Sequence, residues 1–347
     1  MDTISAYITG ESKVEFIKEE LPPLGEHDIL IRTDSVGLCH TDLPVFNYKQ
    51  AFGISEKGYR ENQIITAPKK LGHEPVGTVA AIGDAVTKFA VGDHVSGNYP
   101  EAFTTYRVVR DDTPLVKLPP LETDYRYCVV EPMGCVVNIL HYLEDVALDN
   151  VGVIGCGYMN LMVISALKHL GAKKVFAVDI NSEKLTVAKA YGADVLLNST
   201  KENIVERVYD ETNGAFLDCV IEMSGSLKGL QSACSIIKFA KVNGLATGEY
   251  NGRGKIIITS VYSGEETFPQ ELAYELVLRC PILDAAHPMS GVSIEENDRI
   301  AVELFTKGVI PMDKMITHTI HFSQLQEALG WLASPPEGYV KGIVLFD

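Results

Sequence analysis

The sequence predicts an α/β protein carrying a second, β-rich unit, with its parallel sheet doubly wound by helices. Three observations lead there. The texture changes near residue 136 from short strands to alternating strands and helices. A Gly-Cys-Gly turn at 155–157 joins a buried strand to a helix, with an acid closing the next strand at Asp179. A Cys/His/Glu set lies in the β-rich part before it. Taking the elements in order, residues 76–82, 91–97 and 103–109 are short apolar or β-branched segments broken by Gly, Asp and Pro, the pattern of a barrel-like unit. Strands at 151–154, 174–178, 195–197 and 217–221 then alternate with helices at 161–170, 182–191 and 202–211. Strands separated by helices of this length imply parallel βαβ units. The rhythm lapses near Pro281. The tail supplies helices at 298–306 and 323–333 and a closing strand at 342–346, which is expected to return to the first unit.

Composition narrows the function. With 347 residues and 46% hydrophobic content the chain has material for two globular domains. A net charge of −16 disfavours non-specific nucleic-acid binding, which needs a basic surface. No apolar run reaches the roughly 18 residues of a membrane span, and Met1-Asp2-Thr3-Ile4 does not open a signal peptide. Seven cysteines, odd in number and without a C-x-x-C pair, fit reduced thiols and a cytoplasmic location.

Gly155 and Gly157 directly follow the strand at 151–154. In a dinucleotide fold the first glycine makes the tight turn and the second lets the backbone approach the pyrophosphate at the helix N-terminus. Asp179, 24 residues beyond Gly155, ends the second strand. A carboxylate there accepts bonds from the adenosine ribose hydroxyls and repels a 2′-phosphate, which favours NAD over NADP. Asn160 stands where a third glycine is usual.

Cys39, His73 and the carboxylates Glu74 and Glu131 combine thiolate, imidazole and carboxylate, a donor set suited to zinc. The spacings of 34 residues from Cys39 to His73 and 58 from His73 to Glu131 bring the ligands from separate loops. That is the pattern of a catalytic rather than a structural site. His94, in Gly92-Asp93-His94, reads as a satisfied turn histidine, and the remaining cysteines as packing residues.

Cys39-His40-Thr41-Asp42, Gly72-His73-Glu74 and Glu131-Pro132, followed by the glycine turn and Asp179, resemble the medium-chain zinc-dependent alcohol and polyol dehydrogenases over nearly the whole chain. The Glu-Pro at 131–132 is most similar to the sorbitol and other polyol dehydrogenases. The resemblance implies a GroES-like catalytic domain at 1–135 and 286–347, and a Rossmann NAD-binding domain at 136–285 inserted within it. It implies one catalytic zinc held by Cys39, His73 and either Glu131 or Glu74. Because a second bound carboxylate would make the site anionic and a weaker Lewis acid, one carboxylate is expected to bind. Thr41 is implied as the group that takes the substrate proton, and Asp42 as the carboxylate that orients His73. His40 and Lys341 resemble positions that meet the cofactor pyrophosphate. Tyr158, Met159, Lys184, Ser224, Gly225 and Thr247 complete the implied cofactor surface. The implied activity is hydride transfer between NAD and a secondary alcohol of a polyol, sugar or cyclitol. The implied assembly is a homodimer or homotetramer, with residues 255–261 as the pairing edge strand.

Three features depart from the family pattern. No cysteine lies between Cys39 and Cys128, so the lobe that binds a structural zinc is missing. Leu43-Pro44-Val45 lacks the relay histidine of some members, and His287, near the return from the Rossmann domain, is a candidate to replace it. The stretch from Cys39 to His73 is long and contains Tyr48, Lys49, Tyr59 and Arg60, which suit substrate hydroxyls or a phosphate, or else a solvated loop. A zinc-free quinone or enone reductase of the same superfamily would lack the Cys/His/Glu set. A non-catalytic nucleotide-binding protein finds support only in Asn160 and the missing relay histidine.

Overall fold

Burial along the strand Asp28–Gly37 explains how the first unit is organised. Its first half alternates between inward and outward residues, while its second half, from Thr33 to Gly37, is buried throughout. A strand with partners on both edges and cover on both faces reads this way. In the computed structural model, which describes residues 1–48, 51–54, 60–63, 68–143, 149–239, 241–243, 249–251, 253–260, 262, 267–287 and 293–347, two compact units are present. The first comprises Met1–Gly134, Ile294–Thr306 and Pro311–Asp347, and the second Cys135–Ser293 and Lys307–Ile310. Residues 286, 287, 293 and 307–310 thus group with the second unit, where the sequence reading placed them in the first.

In the first unit Asp28–Gly37 lies between Pro75–Ile82, antiparallel, and the closing strand Lys341–Leu345, also antiparallel. Val36 is opposite both Pro75 and Val344. The sheet continues through His94–Gly97 and Leu115–Lys117 on one side and Ile316–His321 on the other. A smaller sheet joins Lys13–Glu20, Asp2–Gly10 and the two-residue strand Lys69–Lys70. Ile29, Ile31, Val36, Val79, Val95, Phe103 and Val344 form the fully buried centre. At about 1.5–3 kcal/mol for each large apolar side chain, their burial fixes the register from which the loops depart.

The second unit is a six-stranded parallel sheet. Its order is Val195–Asn198, Lys174–Asp179, Asn150–Ile154, Cys219–Glu222, Lys255–Ile258, Ile282–Ala285. In chain sequence that is 3-2-1-4-5-6, a dinucleotide-fold order with its topological switch beside Asn150–Ile154. Asn181 and Asn203 cap the helices Ser182–Ala190 and Ile204–Glu211 through their side-chain oxygens, as helix starts require.

Two expectations are corrected here. The strand rhythm does not end near Pro281, because Ile282–Ala285 is the sixth strand. It is short, lies at the edge and is largely exposed, so it lacks the apolar run of a buried strand. Consequently Lys255–Ile258 is not an edge strand: it is bonded on both sides, while Val261 lies outside the described residues.

Asn160 explains how the glycine turn tolerates a third position without glycine. It is 1% exposed, and its amide donates to the Ile154 carbonyl at 3.0 Å and to the Gly155 carbonyl. Asn160→Ala takes the side-chain donor from the Gly155 carbonyl and leaves the Ile154 carbonyl with the Met223 amide at 3.1 Å, at a cost of about 1–3 kcal/mol. Thermal or denaturant unfolding is expected to show that loss; an unchanged midpoint would remove Asn160 from the turn's support.

Candidate metal centre and nucleotide turn

The sheet register gathers the metal-type residues. Asp28–Gly37 leads straight to Cys39, and His73 and Glu74 immediately precede Pro75–Ile82. Because these strands pair, the Gly37 amide donates to the Glu74 carbonyl at 2.9 Å. One ligand atom each of Cys39, His73 and Glu74 falls within 4.8 Å of the others. Residues 34 positions apart in sequence therefore meet at one place. Thiolate, imidazole and carboxylate at this separation fit zinc.

Two further side chains complete the arrangement. The Asp42 carboxylate lies 3.5 Å from His73 Nδ1 and is itself buried. That fixes the ring's orientation and leaves Nε2 as the nitrogen that could face a metal. On the other side the exposed Thr41 hydroxyl donates to Cys39 Sγ at 3.2 Å and lies 3.5 Å from His73 Nε2. Burial disfavours the imidazolium, but hydrogen bonds and charge from Asp42 and Cys39 outweigh it, and the ion-free ring's pKa is pushed up to about 12. The same anionic surroundings favour a metal dication in place of the proton.

Glu74 is 1% exposed and forms a buried ion pair with Lys341, whose Nζ is 2.5 Å from Oε2 and donates to the Leu38 carbonyl at 2.9 Å. Burial opposes the Lys341 charge, yet the neighbouring Glu74 and Cys39 charges raise its pKa above the usual lysine value. The carboxylate occupies space that a Cβ on Gly37 would need, so a side chain at that position would displace Glu74.

Several sequence expectations change. Glu131 is not in the Cys39/His73/Glu74 group. It lies in the first turn of the helix Val130–His141 and accepts from Asn98 at 3.4 Å. Glu74 follows His73 in the chain and is held beside Gly37 by sheet pairing, whereas among the described residues no strand pairing places Glu131 there. Lys341 was expected at a pyrophosphate; it is 5% exposed and directed to Glu74. Its role was hidden because 267 residues separate the two partners. His40 is exposed on the turn beside Cys39. His287 is exposed in the second unit, with its backbone carbonyl bonded to Asn138 at 2.8 Å. His94 bonds Thr78 at 3.1 Å and stacks on Tyr125, as a satisfied histidine should. Of the other cysteines, Cys280 is exposed rather than packed. Tyr48 buries a hydroxyl that has no partner among the described residues. Lys49, Tyr59 and Thr247 lie outside the described residues.

In the second unit Gly155 adopts φ +83°, the left-handed conformation that lets the chain turn sharply after Asn150–Ile154. Gly157 then caps the helix Tyr158–His169, which begins three residues earlier than its apolar pattern suggests. The Asp179 carboxylate accepts the Cys156 amide at 2.7 Å and the Asn181 amide at 2.8 Å. Acid and turn are thus a single structure. Tyr158 is buried and Met159 half-buried in the first turn of that helix, and Lys184 is exposed on the next. Ser224 and Gly225 follow the adjacent strand Cys219–Glu222. The Ser224 hydroxyl donates to the buried Glu222, and the Gly225 amide donates to Ser260 at 2.9 Å.

Comparison with known proteins places this geometry. Residues 25–120 match the model of the alcohol dehydrogenase GroES-like domain, and residues 159–242 that of the zinc-binding dehydrogenases. The chain belongs to the medium-chain zinc-dependent alcohol dehydrogenase family. Within this family it is 29% identical over 232 residues to an L-threonine 3-dehydrogenase of Bacillus velezensis, a match covering 59% of this chain and 64% of that protein. It is 24% identical to an uncharacterized zinc-type alcohol dehydrogenase-like protein, YdjJ, of Escherichia coli, covering 99% of both. The crystal structure of an Escherichia coli oxidoreductase/dehydrogenase of unknown specificity has the same fold, with a TM-score of 0.81, 22% identity and full coverage of both chains. The fold is therefore shared over the whole length of the chain.

Asp42 provides a test that needs no substrate. In zinc-free protein His73 is expected to stay protonated at pH 8, because its pKa is raised from 6.5 to about 12. The stabilisation it contributes is complete below about pH 6.5 and is lost as pH rises toward 12. NMR titration of the ring should show this, and Asp42→Asn should lower the inflection. A ring titrating near 6.5 in the unaltered protein would contradict the arrangement.

Proposed function

We propose that this chain is an NAD-dependent, zinc-dependent dehydrogenase that interconverts a secondary alcohol, of a polyol, sugar or cyclitol, and the corresponding ketone. The convergence of Cys39, His73 and Glu74, with the Thr41 hydroxyl beside them, carries the reading. Zinc, when bound, supplies Lewis acidity toward the substrate oxygen, and NAD, when bound, supplies the hydride acceptor. Cys39 and Glu74 would neutralise the dication, keeping it a stronger Lewis acid than an anionic site would. Lys341 holds one Glu74 oxygen, which leaves the other for the metal. Asp42 orients His73. Thr41 takes the alcohol proton while its own proton passes to solvent, and the substrate carbon gives up its hydride. His287 is given no part in this path: it belongs to the second unit, and its side chain is exposed.

The names of the relatives support the dehydrogenase class. Asp179 supports NAD as the preferred form, since a 2′-phosphate would face a carboxylate already fixed by two backbone amides. The edge strand Ile282–Ala285 exposes Ile282 and Leu283, which supports pairing with a second copy.

Cys39→Ser is expected to abolish NAD reduction across a panel of polyols, sugars and cyclitols while NADH still binds, because the nucleotide turn is in the other unit. Turnover that survives the substitution would refute the zinc-dependent reading. Asp179→Ala should narrow the preference for NAD over NADP measured as kcat/KM; equal efficiency with both cofactors in the unaltered enzyme would overturn that assignment. Light scattering at micromolar concentration should give a mass of two or more chains, and a monomer would exclude the edge pairing.

A further inference from the structure

A pocket of about 560 Å³ opens beside the metal group, bordered by Asp42 and His73 on one side and by Tyr7, Lys69, Lys70 and Glu101 on the other. This volume suits a small polar ligand. Its lysines are placed by the strand Lys69–Lys70, which pairs with Asp2–Gly10 so that Lys69 is opposite Ile8 and Lys70 opposite Tyr7.

The charges on this wall are mostly compensated. Lys70 is 2.7 Å from Glu19, which also accepts from the Tyr7 hydroxyl at 2.5 Å. Glu101 is paired with Arg107 at 2.7 Å. Glu74 is paired with Lys341. A dication on Cys39 and Glu74, with Asp42 behind His73, would leave that group neutral once Lys341 is counted. Lys69 is exposed and has no counter-ion among the described residues. Among the described residues the pocket therefore carries one uncompensated positive charge, on a chain whose net charge is −16. An anion would be repelled by most of this surface, and Lys69 marks a place where it is attracted.

We propose that the substrate is an oxyanion-bearing polyol or sugar, a carboxylate or a phosphate ester, whose anionic end is bound by Lys69 while its hydroxyl is presented to the Cys39/His73/Glu74 group. This rests on the dehydrogenase reading above for the reacting end alone. A neutral polyol would leave Lys69 facing water. An oxyanion gains a charge-assisted hydrogen bond that also fixes the direction in which the chain of hydroxyls enters.

Calorimetric binding of sorbitol, gluconate and sorbitol 6-phosphate to the intact protein, to Lys69→Met and to Lys69→Arg tests this. The two anions are expected to bind about tenfold or more tightly than sorbitol, as a hydrogen bond to a charged group provides. Lys69→Met should remove that advantage and Lys69→Arg should keep it. Gluconate and the phosphate ester together distinguish which oxyanion fits. Equal binding of all three ligands, or an anion preference that survives Lys69→Met, would overturn the proposal. NADH formation with the same ligands is measured separately. Lys69-dependent anion binding without NADH would sink the dehydrogenase reading and leave the anion site standing. NADH formation from sorbitol without any anion preference would do the reverse.

Discussion

Pairing of the strand Asp28–Gly37 with both Pro75–Ile82 and Lys341–Leu345 is the constraint on which the site depends. Register on one edge brings the Gly37 amide to the Glu74 carbonyl. Register on the other places Ile343 opposite Gly37 and delivers Lys341 to Leu38 and Glu74. Cys39, one residue beyond Leu38, is then held beside His73. A one-residue slip would turn these side chains to the opposite face. The missing side chain at Gly37 is part of the same constraint, since the Glu74 carboxylate fills its space.

Electrostatics follows from this packing. A carboxylate as buried as Glu74 is tolerated because Lys341 is equally buried against it; removing either partner would strand a charge. Asp42 does for His73 what Lys341 does for Glu74, fixing from behind a side chain proposed to bind the metal. In the second unit one carboxylate, Asp179, serves both the turn and the nucleotide preference proposed for it. In each case a second residue, behind the one expected to touch the ligand, sets its orientation.

Much of this was legible in the sequence. The motif Cys39-His40-Thr41-Asp42 and the pair His73-Glu74 carry local chemistry, and the glycine turn with Asp179 carries local geometry. Alternating strands and helices gave the parallel sheet. The choice between Glu74 and Glu131 was not legible, because both are acids next to a motif and only strand register separates them. The Lys341 partnership was equally hidden, since nothing local marks a lysine whose counter-ion lies at the other end of the chain. Ile282–Ala285 was missed as a strand because an exposed edge of four residues has no buried apolar run. Lys69 drew no notice because its meaning comes from its neighbours being neutralised, which only the folded pairings reveal.

Zinc content measured under chelator competition in the unaltered protein, Glu74→Gln and Glu131→Gln tests the central claim most directly. The account predicts about one zinc per chain in the unaltered protein and in Glu131→Gln, and loss of zinc from Glu74→Gln, because Cys39, His73 and Glu74 converge and Glu131 does not join them. Zinc retained by Glu74→Gln but lost from Glu131→Gln would contradict it.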